Sequence, residues 1–427
     1  MDTGWRRWWS GPRRTSGWRG FWWKQALGPR NGLMPSETNA APNGHSAVDV
    51  RWMTEAIELA YQGRGKVEPN PPVGCALVRD SVCIGKGYHQ RFGGPHAEVE
   101  ALSSCDDATG ATAYVSLEPC CHHGKTPPCA DALIRAKVAR VVVSVVDPFD
   151  QVDGGGIEKL RAAGIEVVTG IAKEAGEELL AAYLKRVRTG MPWVIAKWAM
   201  SLDGRIATQT GESKWITGPA SRGAVHELRA SVDAIAVGMG TVIADNPLLT
   251  VRLSELAKVS AAKSTHTEDR SNQLVRLVYS RSRLPDLQSQ LVQTASQTPT
   301  WLIAGPQIAN ADLARLADHD VETWQCESAD PIEMVQQSLL WLGSKDNPRG
   351  LAMTHLMVEG GSQLLGSFAA ADQIDEVHAF IAGKCIGGRS APGPLGDPGI
   401  KALSDATSLR MSRVDSFDND VRLIYRR

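Results

Sequence analysis

From Val48 onward the hydrophobic positions fall into short segments of two kinds, some with a helical period and some nearly continuous. Val50, Met53, Ile57, Ala60 and Tyr61 share one face of a helix that Gly63 ends. Beyond the break at Pro69-Asn70-Pro71-Pro72, residues 73–78 and 83–89 read as two strands joined by a tight turn around Asp80-Ser81. Next come a helix from His96, a strand over 112–117, a helix from Cys129, a strand over 141–146, a helix near 157–163 and a strand over 165–168. A helix over 172–188 closes this unit, and Thr189-Gly190-Met191-Pro192 reads as a linker. The pattern then restarts, with strands at 193–200, 234–237, 274–279, 300–304, 321–324, 355–358 and 377–381. Helices lie between them near 220–230, 332–342 and 362–370, and the polar run 254–272 has the look of a surface loop. This alternation predicts an α/β protein with parallel or mixed sheets covered by helices.

At 427 residues the chain exceeds one ordinary domain. The linker divides it into a domain over 47–188 and another over 189–427, preceded by an extension over 1–46. A net charge of −1 gives no global pull toward nucleic acid or an anionic membrane, and no run approaches the apolar length of a membrane span. The 8 cysteines are spaced unevenly, as in a reduced, metal-using cytoplasmic protein rather than a secreted disulfide scaffold. In the extension, Trp5, Trp8, Trp9, Trp18, Trp22 and Trp23 lie among arginines, and Gly and Pro break any helical face. It reads as disordered, or as translated sequence upstream of a true start, for which Met34 is a plausible site. The competing reading is an arm on which bases stack beside cations.

Candidate chemistry concentrates between His96 and Cys129. His96-Ala97-Glu98, then Pro119-Cys120, then Cys129 follow the order of a zinc-deaminase signature. One imidazole and two thiolates give Zn2+ three protein ligands and leave the fourth tetrahedral position open, as in a catalytic rather than a structural site. Glu98 then serves as proton carrier to the departing amine rather than as a ligand. Cys129 opens an apolar-periodic run, and free amides at a helix start favour a thiolate. Of Cys120 and Cys121, the one directly after Pro119 is taken as the ligand. Asn70, whose amide both donates and accepts, suits a ring edge. The second half has no comparable signature by residue type; Gly360-Gly361-Ser362-Gln363 entering a helix offers backbone N–H groups to a phosphate.

The first half resembles the deaminase domain of the bifunctional riboflavin-biosynthesis deaminase/reductase family. The matching stretches are Pro69-Asn70-Pro71-Pro72-Val73-Gly74, Gly87-Tyr88-His89, Pro95-His96-Ala97-Glu98-Val99, and Leu117-Glu118-Pro119-Cys120 through Pro127-Pro128-Cys129. The second half is similar to the family's reductase domain at 197–204, at Gly211-Glu212-Ser213-Lys214-Trp215-Ile216-Thr217, at Gly240-Thr241-Val242, over 245–252 and at Val358-Glu359-Gly360-Gly361. The resemblance implies a cytidine-deaminase-like three-layer domain followed by a dihydrofolate-reductase-like one. It also implies removal of a ring amine from a diamino-hydroxy-phosphoribosylamino-pyrimidine, followed by hydride transfer from NADPH to the ribosyl group. It assigns NADPH contacts to Ala199, Trp215, Thr241, Asp245, Ser280, and the run Gly361, Ser362, Gln363, Leu364, Leu365, Gly366 and Ser367. Substrate contacts fall to Ser213, Arg229, Leu249, Arg252 and Glu359, the two arginines suiting its phosphate. His89, His122, His123 and Lys125 are candidate phosphoribosyl contacts. The family implies a homo-oligomer of two or four copies acting on small molecules, with neither nucleic acid nor membrane as partner.

Two positions depart from the family. Tyr279 stands where Asp usually precedes the serine matched by Ser280, which opens the NADPH preference to question. Arg281 and Arg283 then become candidates for the 2′-phosphate. Cys121 replaces a common Ser. Two other function classes use the same zinc motif: a polynucleotide deaminase with an accessory domain, and a structural zinc module fused to a binding domain. Reductase motifs speak against the first, and Glu98 beside an incomplete ligand set against the second.

Overall fold

The structure, a computed structural model, describes residues 46–122, 127–252 and 274–427. The N-terminal extension, the run 254–272, His123 and Lys125 lie outside the described residues.

The first sheet is built from β1 (Gly74–Arg79), β2 (Val82–Tyr88), β3 (Thr112–Leu117), β4 (Arg140–Val145) and β5 (Glu166–Thr169), in the order β2-β1-β3-β4-β5. β1 runs antiparallel to both β2 and β3, whereas β3, β4 and β5 are parallel. Asp80 and Ser81 both take positive φ in the two-residue turn between β1 and β2, which matches the twist of a hairpin. Side chains alternate across the sheet. One face meets α1 (Ala47–Tyr61) and α5 (Lys173–Thr189), with Tyr114 and Val142 in that core. The other face meets α2 (Ala97–Ser103), α3 (Cys129–Arg135) and α4 (Gly155–Ala162), with Ala113, Val115, Val141 and Val143 between. The result is three layers. On α1 the sequence reading needs one correction: Trp52 is buried and Tyr61 is 42% exposed, because the helix ends there and its last side chain lies beyond the sheet.

The second sheet contains β6 (Trp193–Ser201), β7 (Ala234–Gly238), β8 (Val275–Ser280), β9 (Thr300–Ala304), β10 (Val321–Gln325), β11 (His355–Gly360), β12 (Glu376–Ala382), β13 (Arg410–Phe417) and β14 (Asp420–Arg426). Their order is β10-β9-β8-β7-β11-β6-β12-β14-β13. All pairs from β10 to β12 are parallel, and the C-terminal hairpin β13–β14 adds on antiparallel to β12. Helices α6 (Pro219–Ala230), α7 (Met239–Asp245), α8 (Gln290–Gln293) and α9 (Asn310–Ala317) pack on one face. Helices α10 (Pro331–Gly343) and α11 (Ser362–Ala370) cover the other. Three of these, α7, α8 and α9, and the hairpin are absent from the sequence reading. Charged residues interrupt both strands of the hairpin (Arg410, Arg413 and Asp415 in β13; Asp420, Arg422 and Arg426 in β14), and β13 is largely exposed, so no apolar period marks it. No helix among the described residues is long and apolar enough to cross a membrane.

Candidate active sites

The zinc motif lies where β3 and the hairpin feed the starts of α2 and α3. His96 is the N-cap residue of α2 with extended backbone, Glu98 falls in its first turn, and Cys129 opens α3. The ligand atoms of His96, Cys120 and Cys129 all lie within 4.8 Å of one another. His96 Nδ1 is 3.6 Å from Cys120 Sγ and 3.3 Å from Cys129 Sγ. Adjacent vertices of a tetrahedron with bonds of about 2.0–2.3 Å lie about 3.3–3.8 Å apart, so the donor set fits one zinc ion. The Cys129 amide donates to Cys120 Sγ at 3.3 Å, which binds the loop around the sulfur. Hydrogen bonds from the Cys129 thiol and the His96 ring bring the Cys120 thiol down to about 4 against burial. Cys129, sharing that proton with Cys120, is pushed up. A dication displaces the remaining proton. Burial drives the Glu98 carboxyl up to about 7.

Asn70 and His89 form one wall of this site. The His89 ring stands edge-on to His96, 5.3 Å between centroids, with Nδ1 2.8 Å from the Pro95 carbonyl. That contact fixes Nδ1 as the donor, so Nε2 accepts from the Asn70 Nδ2 group 3.4 Å away. The Asn70 amide oxygen is thus left to accept. His122 stands edge-on to Phe149, 6.4 Å between centroids, and Cys121 Sγ turns away toward the Gln151 carbonyl.

The second site is a cleft of about 1600 Å³ at the carboxyl ends of the parallel strands, the position at which α/β sheets take ligands. Its size exceeds the roughly 300–1,000 Å³ of a single small-ligand pocket and leaves room for a dinucleotide beside a second molecule. Of the reductase positions taken from the sequence, Gly366 alone does not line it; that residue packs against the backbone of Gly396 and Asp397. Gly361 enters α11 at φ 79°, and a Cβ there would stand 3.1 Å from Thr241 Oγ1, so backbone amides at the helix start face the cleft uncovered. These features fit the phosphates of a nicotinamide dinucleotide.

Glu359, Arg229 and Lys197 are already paired inside the cleft. Glu359 accepts from Arg229 Nη2 at 2.6 Å and Nε at 3.0 Å, and from Lys197 Nζ at 3.4 Å. Burial raises the Glu359 carboxyl, yet the two cations outweigh it and hold it below its usual range. Burial lowers Lys197. Arg229 also donates to the Thr250 carbonyl at 2.9 Å, so its guanidinium is committed to the protein. Arg252 has no carboxylate partner among the described residues. Sequence reasoning passed over Lys197, although a lysine inside the apolar run of β6 was a visible signal. Tyr279 fills core space, its hydroxyl 2.8 Å from Ser338 Oγ and its ring edge-on to Phe368. The Ser280 hydroxyl is engaged with the backbone of Arg283.

Fold and sites define a protein that joins a zinc-binding deaminase unit to a reductase unit of α/β type. Residues 46–145 match the family model for the cytidine and deoxycytidylate deaminase zinc-binding region, and residues 192–423 match that for the RibD C-terminal domain. The riboflavin biosynthesis protein RibD of Escherichia coli is 40% identical over 377 residues, covering 88% of this chain and 98% of that protein. Among solved structures, RibD of Acinetobacter baumannii is 35% identical with a TM-score of 0.75, covering 89% of this chain and 98% of that one. The diaminohydroxyphosphoribosylaminopyrimidine deaminase/5-amino-6-(5-phosphoribosylamino)uracil reductase of Thermotoga maritima is 32% identical with a TM-score of 0.74, over the same shares. This chain belongs to the RibD family of bifunctional deaminase/reductases of riboflavin biosynthesis, which use zinc and NADPH.

Proposed function

We propose that residues 47–188 deaminate the ring of 2,5-diamino-6-(5-phosphoribosylamino)pyrimidin-4-one. Residues 189–427 then reduce the ribosyl group of the product to give 5-amino-6-(5-phosphoribitylamino)uracil. The observation that carries the first step is the convergence of His96, Cys120 and Cys129 beside the buried Glu98. Zinc held by those three side chains supplies the Lewis acidity that makes water nucleophilic at neutral pH. Glu98 takes a proton from the attacking water and passes it to the ring amine, which leaves as ammonia while the water oxygen stays on the carbon. Its carboxyl stands near pH 7 before metal binds, and a neighbouring dication lowers it toward the ionised base. Asn70 meets the ring edge with its free amide oxygen.

In the cleft, NADPH supplies the hydride. Thr241, Asp245 and the amides of residues 361–367 hold the cofactor; Ser213, Leu249, Arg252 and Glu359 hold the substrate. Ala199, Trp215 and Ser280 complete the cofactor wall, and Arg229 serves the substrate by holding Glu359. Lys197 and Glu359 are the proton-carrying pair that faces the reducible sugar. The chain acts in the cytoplasm, a reading supported by the free state of all its cysteines, and it assembles as a homo-oligomer, as the family resemblance implies.

The test is Glu98→Gln. The variant is expected to keep one zinc per chain and full reductase activity while deamination falls at least about 100-fold. Normal ammonia release by the variant would overturn the assignment.

A further inference from the structure

Glu118 lies two residues before Cys120 and is 4% exposed. No lysine or arginine pairs with it among the described residues. Its carboxylate instead accepts four backbone amides: Oε1 takes Gly156 at 3.0 Å and Ile157 at 3.2 Å, and Oε2 takes Gly154 at 3.2 Å and Asp147 at 3.3 Å. Its own amide donates to the Val145 carbonyl at 2.9 Å. A buried carboxylate is costly unless its lone pairs are filled; three N–H donors at the start of α4 and the Asp147 amide just beyond β4 fill them. The run Gly154-Gly155-Gly156 makes this close approach possible. A Cβ on Gly156 would fall 1.9 Å from the Pro119 carbonyl oxygen, and one on Gly155 would meet Cys121 Sγ at 3.0 Å. Thus the backbone of Pro119–Cys121 lies directly on the first turn of α4, clamped by the side chain just before it.

From this geometry we infer that Glu118 is a positioning residue for zinc binding. It fixes the strand end that presents Cys120 Sγ, so the ligand set is organised before the metal arrives. The inference rests on the proposed ligand set His96, Cys120 and Cys129. On the far side the same sulfur is held by the Cys129 amide, and the Cys120 carbonyl by the Ala130 amide at 3.2 Å. Cys120 is therefore set between two helix starts, α3 through its own atoms and α4 through Glu118. Partners that orient a ligand from outside the metal's immediate shell typically account for about 10–100-fold in affinity.

Glu118→Gln tests this in the full-length chain, because an amide keeps the shape but turns an NH2 group toward two backbone N–H donors. Zinc affinity is read by competition with a chromophoric chelator, and the ligand field by the visible bands of the cobalt(II)-loaded protein. The expected result is zinc binding weakened about 10–100-fold and altered cobalt bands, with an unchanged reductase rate in the same sample. Wild-type affinity and bands would overturn the proposal. If the variant loses the fold of the first three-layer unit, Gly154→Ala decides. That glycine has φ 82° and no atom within 4 Å of an added Cβ, so alanine misaligns one donor without a clash. A smaller weakening is expected there, and wild-type affinity would again overturn the proposal. Cys120→Ser separates the two layers of the argument: retention of zinc at wild-type affinity would mean that the ligand set itself is wrong, whatever Glu118 does.

Discussion

Arg276 is fully buried in β8, and its guanidinium meets no carboxylate among the described residues. It donates to the carbonyls of Leu248 at 3.0 Å, Leu291 at 3.2 Å, Thr294 at 3.0 Å and Thr298 at 2.7 Å, and to Thr294 Oγ1 at 2.8 Å. Burial lowers it to about 10, so the group stays charged at neutral pH. Its neutralisation is spread over carbonyl dipoles, and the Leu248 contact anchors the loop that lines the reductase cleft. Arg276→Met removes the charge but strands those acceptors in a dry interior. A stability loss on the order of 3–5 kcal/mol is expected, read as a lower urea midpoint. Arg283 belongs to the same scale. Its backbone is fixed by Ser280, and it lines the cleft next to Arg281. If it meets the 2′-phosphate, Arg283→Ala lowers the preference for NADPH over NADH about 10-fold or more while kcat with saturating NADPH holds. An unchanged preference would remove Arg283 from that role.

At the scale of elements, the hairpin β13–β14 stabilises a helix far from it in sequence. Asp420 opens β14 and accepts from the Gly218 amide and the Ser221 hydroxyl, both at 2.7 Å, at the start of α6. It caps that helix from 202 residues away. α6 carries Arg229, which in turn holds Glu359, so the cap fixes the floor of the cleft. Asp420→Ala is expected to lower stability by about 1–2 kcal/mol and to raise the reductase KM more than it lowers kcat, since binding groups move while the hydride donor does not. The hairpin's polar strands concealed this role in the sequence. Pairing with β12 over seven residues, Glu376 to Ala382, holds a segment that has no apolar period of its own.

For the whole molecule, α5 ties the two sheets together. Lys185 Nζ meets Asp375 Oδ2 at 2.5 Å, Arg186 donates to the Pro69 carbonyl at 3.0 Å, and Glu178 accepts from Arg426 at 2.6 Å. Arg426 continues to the buried Glu376, which also holds His378 at 2.5 Å. Burial raises Glu376, but His378 and Arg426 more than offset it and bring the carboxyl to about 2. Burial lowers His378. Both groups bind protons more readily in the unfolded chain, so each contributes stability that fades as pH falls. For His378 the loss begins as pH drops through its ordinary value near 6.5; for Glu376 it runs from about 4.5 down to about 2 and reaches on the order of 3 kcal/mol. Urea midpoints are expected to decline below pH 6.5 and again below pH 4.5. His378→Gln is expected to remove the upper decline and to weaken the lower one, since His378 supplies part of what holds Glu376 down. A midpoint that rose on acidification would contradict the network.

The sequence by itself determined the order of most elements, though not of three short helices and the C-terminal hairpin, together with the α/β class and the cluster His96–Glu98–Cys120–Cys129. Each of these is written in short-range spacing: a helical or alternating period shows which face is buried, and a glutamate two residues from a histidine needs no distant partner to be recognised. Tertiary structure alone decided the partners of the polar groups. Glu118 meets amides 29 to 39 residues away, Arg229 is claimed by Glu359 from 130 residues away rather than left for a phosphate, and Asn70 presents its oxygen because His89 takes its amide NH2 group. Which donor meets which acceptor depends on the strand ends and helix starts that packing brings together, and apolar periodicity carries no record of that. The same holds for Tyr279, whose hydroxyl meets Ser338 Oγ inside the core.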